Sequence, residues 1–94
     1  MSQFMDSLRD KMRVKQYSYK TEKTYLQWTE RFIRFHKLRH PKEMGKAEVE
    51  AFLTHLAKSD ISASTQNQAL AAILFMYREM LGRTFENIQA VRAK

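Results

Sequence analysis

Helix-breaking residues are almost absent from this chain: Pro41, Gly45 and Gly82 are its only proline and glycines. Between them apolar residues return at every third or fourth position, the spacing that lines one face of an α-helix. The pattern predicts four helices. The first runs from about Ser2 to Arg13, with Phe4, Met5, Leu8 and Met12 on one stripe. The second starts at Ser18, a good N-cap with Thr21 and Glu22 in the first turn, and ends near Arg39, because Pro41 disfavours helix at the residue before it. "HPKEMG" is then a loop. The third spans Lys46 to Lys58, with Val49, Phe52, Leu53 and Leu56 inward. After the break "SDISAS", with Ser62 and Ser64 as candidate caps, the fourth runs to Leu81 and is stopped by Gly82 at the position after the helix. Residues 83–94 read as a short helix, a tail or a linker.

With 94 residues, 44% of them hydrophobic, the chain holds one domain near the lower size at which a core forms without staples. There is no cysteine, so neither a disulfide nor a thiolate metal site is available within it. No apolar run reaches the roughly 18 residues of a membrane span. A soluble, cytoplasmic protein is the expectation.

Charge divides the chain in two. Residues 1–42 hold eleven Lys or Arg against four acids, whereas residues 43–94 hold six of each, so the whole net charge of +7 sits in the first half. That asymmetry suits a face that meets a polyanion. A solvated basic face without a partner is the plainer reading.

The segment "YSYKTEKTYLQWTERFIRFHKLRH" concentrates both aromatics and cations. At about 100° per residue, Lys20, Lys23, Gln27, Arg31 and Arg34 form one polar stripe, and Tyr25, Trp28, Phe32, Ile33 and His36 fall on the other side. The aromatics are thus expected in the core, Trp28 and Phe35 included, and the cations outside. An exposed basic stripe fits a nucleic-acid backbone or an anionic membrane surface. A membrane-seeking helix must free its apolar face, which so small a chain needs for its core, and the DNA major groove is wide enough to admit a helix. The start of the fourth helix, "SASTQNQAL", crowds Ser64, Thr65, Gln66, Asn67 and Gln68 at one N-terminus, groups that contact phosphates or pair with adenine edges. Ordinary capping explains the same residues when they are taken alone. Along that helix Leu70, Ile73, Tyr77 and Leu81 make a core face, and Phe75 lies opposite, packed on the first helix or awaiting a partner.

Catalytic signals are lacking. His36 and His40 have the i,i+4 spacing of a metal pair, but Pro41 works against a helical His40, His36 lies on the apolar arc, and no third ligand is evident. Structural histidines are the expectation, with no cofactor and no metal. There is no Gly-rich phosphate loop, nucleophile elbow or close carboxylate pair.

The run from Tyr17 to Ala57, "YSYKTEKTYLQWTERFIRFHKLRHPKEMGKAEVEAFLTHLA", followed by "SASTQNQALAAILFMYREMLG", resembles the N-terminal core-binding domain of integron-type integrases, a branch of the tyrosine recombinases in the phage integrase family. The likeness extends from about Phe4 to Lys94. It implies an all-α, SAM-like bundle of four helices that clamps one side of a recombination site, with residues 1–82 as the DNA-binding domain and 83–94 as the start of a linker toward a separate catalytic domain. It also implies that the second and fourth helices face double-stranded DNA through Lys20, Thr21, Lys23, Thr24 and Gln27 and through Ser64, Thr65, Gln66 and Gln68. Arg31 and Arg34 join them from the helical wheel alone. The family's catalytic Arg–Lys–His-x-x-Arg–His set and nucleophilic Tyr have no counterpart here, so this stretch is expected to be non-catalytic and monomeric, while a parent recombinase assembles as a tetramer on bacterial, nucleoid-associated DNA. The alternative is a small basic helical module that binds an acidic protein partner.

Overall fold

The computed structural model describes residues 2–91. It contains α1 (Ser2–Val14), α2 (Tyr19–Phe35), α3 (Lys46–Lys58) and α4 (Ala63–Leu81), with a single 3-10 turn at Pro41–Glu43 between α2 and α3. No strand occurs among the described residues. The all-α, four-helix fold is as expected.

α4 is the central helix, packed against the other three. Its sequence explains this: Ala69 and Ala72 are small and fully buried, so neighbours approach closely, while Ile73, Phe75, Met76 and Tyr77 fill the space on several sides. Leu8 and Met12 of α1, Trp28, Phe32 and Ile33 of α2, and Val49, Phe52, Leu53 and Leu56 of α3 complete the core. Trp28 is buried as expected, edge-on to Phe52 with ring centroids 6.4 Å apart. Phe35 rests at the rim against Phe52 and His55, at 5.4 and 4.7 Å. Phe75 is buried against Tyr17 and Tyr25, at 5.2 and 5.4 Å, so the connection into α2 and α2 itself supply its cover.

Two boundaries follow from local chemistry. α2 stops at Phe35, four residues before the expected Arg39: Lys37 and Leu38 adopt left-handed backbone (φ 58° and 64°), and the Leu38 N–H reaches back to the Ile33 carbonyl at 2.9 Å. The imidazole of His36, just past the helix, donates to the Glu48 carbonyl at 2.9 Å and ties this end to α3. His40 caps the 3-10 turn by accepting the Lys42 N–H at 3.1 Å. Both histidines are therefore structural. α4 ends on Gly82 in the left-handed region (φ 60°), where the Gly82 and Arg83 N–H groups both bond the Tyr77 carbonyl.

Beyond Gly82 the described chain is irregular, with Asn87 in left-handed backbone (φ 54°), and returns over the bundle. Phe85, Ile88 and Ala90 pack on the core, with Phe85 4.9 Å from Tyr77. Arg83 donates to the Met44 carbonyl at 2.7 Å, the Gln89 N–H bonds the Glu50 carboxylate, and the Val91 N–H reaches Thr54 Oγ1 at 3.3 Å. Residues 83–91 are thus a strap across α3. Residues 92–94, the last part of the expected linker, lie outside the described residues.

Candidate nucleic-acid interface

α2 and α4 begin in the same way. Ser18 Oγ accepts the Thr21 N–H at 3.1 Å and donates to Thr21 Oγ1 at 3.0 Å; Ser62 does the same with Thr65. The cap of α4 is therefore Ser62, which leaves Ser64 exposed in the first turn. Thr21 and Thr65 are half-buried, and each hydroxyl already accepts one bond within its cap.

Lys20, Lys23, Gln27, Arg31 and Arg34 are all exposed along α2, as the helical period requires. They differ in their ties. Arg34 Nε bonds Glu30 at 3.1 Å, and the Arg31 guanidinium stacks 4.5 Å over the Trp28 ring. Among the described residues no side-chain hydrogen bond or ion pair engages Lys20, Lys23, Gln27, Ser64 or Gln68. An exposed pair such as Arg34–Glu30 contributes little stability, about 0–1 kcal/mol, so it yields readily to a phosphate.

The two segments singled out in the sequence meet. Lys20, Thr21, Thr24 and Tyr25 of α2 and Gln68 of α4 line one open cleft of about 260 Å³. Beside it, Tyr17, Tyr25 and Phe75 form an aromatic cluster with centroids 5.2–6.1 Å apart, which holds the two helices in register. The cleft thus combines an unpaired ammonium, hydroxyls and a primary amide on a rigid support.

Gln66 is the exception. It is 3% exposed, and its amide nitrogen donates to the Leu53 carbonyl at 2.9 Å and the Val91 carbonyl at 2.7 Å. It pins the strap to α3 and does not belong to the outer face. Burial follows from its position one turn before Leu70 on the inward side of α4.

Two residues escaped the sequence reading. Arg13 of α1 grips the carboxylate of Glu22, an acid of α2 that is only 5% exposed, through Nε and Nη2, both at 3.3 Å. That hydrogen-bonded carboxylate raises the Arg13 pKa above its ordinary value. Arg9 lies one turn earlier. The signal in the sequence was their i,i+4 spacing on the polar flank of α1.

The fold and the basic edge define a small all-α domain with one cationic face. The chain belongs to the phage integrase family, in its N-terminal SAM-like domain, whose family model matches residues 4–87. It is 50% identical over 78 residues to proteins named "Integrase/recombinase" from Escherichia coli and from Pseudomonas aeruginosa. Each match covers 82% of this chain and 23% of the relative, so the chain spans about a quarter of the length of the curated relatives it matches. No helix among the described residues is long and apolar enough to cross a membrane.

Proposed function

We propose that this chain is the DNA-binding module of a site-specific tyrosine recombinase of the integron integrase type, and that it clamps one side of a recombination site in duplex DNA. The observation that carries the reading is the convergence of Lys20, Thr21 and Thr24 with Gln68 in one cleft at the basic edge. Lys20 and Lys23, unpaired and exposed, hold phosphates, contacts that position a protein without reading bases. Gln68, whose amide faces outward, reads a base edge; Ser64 and the N–H groups opening α4 take the adjacent phosphate. Strand exchange, the linker beyond the strap and assembly into a tetramer belong to the longer recombinase.

The test is duplex binding as a function of salt. Half a clamp gathers about 4–6 phosphate contacts, so log K should fall against log salt with a slope of about −4 to −5. A salt-independent affinity contradicts the reading. Retention on an acidic protein matrix but not on duplex DNA would instead support an acidic protein partner.

A further inference from the structure

The basic face continues past α2 onto α1. Arg9 and Arg13 line an open groove of about 590 Å³ whose opposite wall carries Lys23, Gln27 and Arg31. On each helix these residues repeat every four positions, roughly one 5.4 Å turn, a spacing compatible with phosphates one or two nucleotides apart on a strand.

The acids in the groove are already matched. Glu22 is held by Arg13, and Glu30 by Arg34 at 3.1 Å. Arg9 is tied to Asp6 at 3.2 Å, an exposed pair of the kind that is easily exchanged. Lys23 has no partner among the described residues. The buried Glu22 carboxylate fixes the Arg13 guanidinium in place while its side chain stays 62% exposed, so little further ordering is needed when an anion arrives.

The position of the groove matters as much as its charge. Thr21, Thr24 and Tyr25 turn toward Gln68 on one flank of α2, whereas Glu22, Leu26 and Glu30 turn toward α1 on the other. The exposed ridge of Lys20, Gln27 and Arg31 runs between them. We propose that α1 forms the second wall of the interface, with Arg9 and Arg13 holding the sugar-phosphate backbone on the flank of α2 opposite α4. The inference rests on the reading that α2 faces duplex DNA. It gives α2 phosphate holders on both sides, as a helix seated in a major groove requires.

Removing Arg13 alone would strand the buried Glu22 carboxylate, so the test uses Arg9→Gln and the double variant Glu22→Gln/Arg13→Gln, with thermal unfolding as the control for folding. Fluorescence anisotropy on preferred and random duplexes at two salt concentrations reads the effect. Each variant is expected to bind about 3–10-fold more weakly on both duplexes and to lower the salt slope by about one unit. Lys20→Ala and Gln68→Ala report separately on the α2–α4 cleft. If both arginine variants keep wild-type affinity and slope while Lys20→Ala loses both, the α1 wall is overturned and the proposed function stands. If Lys20→Ala and Gln68→Ala change nothing while the arginine variants weaken binding, the α1 wall stands and the α2–α4 reading fails. If the wild-type chain binds no duplex, both fall.

Discussion

Gln68 offers its amide to solvent beside Lys20, whereas Gln66, two positions earlier, gives its amide to the Leu53 and Val91 carbonyls. Their variants should therefore separate cleanly. Gln66→Ala leaves two buried or half-buried carbonyls without that donor and should cost about 1–3 kcal/mol of stability with no change in salt slope. Gln68→Ala should leave the melting temperature alone and cost about 1–3 kcal/mol on the preferred duplex, with little loss on random DNA. Equal losses on both duplexes would mean that Gln68 reads no base. Tyr77 offers a test by pH. Burial pushes its phenol up to about 12, and the hydroxyl donates to the Pro41 carbonyl at 2.9 Å. Its folded pKa lies above the unfolded value of about 10, so its contribution to stability is intact below pH 10 and is lost as pH rises toward 12. Thermal melts between pH 8 and 11 should fall less steeply for Tyr77→Phe, which is less stable near neutrality by about 1 kcal/mol for the lost bond. An unchanged alkaline slope would remove Tyr77 as its cause.

At the scale of the elements, the end of α4 decides where the strap begins. Gly82 holds a left-handed φ of 60°, and a Cβ there would meet nothing within 4 Å. The cost of Gly82→Ala is then purely conformational, about 1 kcal/mol, and chemical denaturation should detect it as a lower midpoint at unchanged m-value. Gly45 differs, since its added Cβ would lie 3.0 Å from the Arg83 guanidinium that anchors the strap. The helical periods and the serine caps were legible in the sequence because they are local: one hydroxyl and three residues specify a cap. The end of α2 was not. It depends on His36 reaching Glu48 on another helix, a bond between residues twelve positions apart that no window along α2 contains.

At the scale of the whole molecule, cations gather along α2 and α1 while the strap occupies the side built by α3. The strand-exchange chemistry proposed for the longer recombinase should be missing from this domain, so nicked suicide duplexes should yield no covalent adduct with it and supercoiled plasmid should stay unrelaxed. An adduct that survives denaturing electrophoresis would contradict this.

The order of the helices, the inward stripes and the basic ridge of Lys20, Lys23, Gln27, Arg31 and Arg34 were determined by the sequence itself, since a 3.6-residue period sorts side chains without reference to any neighbour. Tertiary structure alone decided the rest. It brought Gln68 into one cleft with Lys20 from 48 positions away, closed Phe75 under Tyr17 and Tyr25, and set Arg13 on Glu22 across two helices. The reason is that α4, with Ala69 and Ala72 at its closest approaches, is surrounded by its neighbours, so the face each of its residues presents depends on which helix lies beside it as well as on its own period.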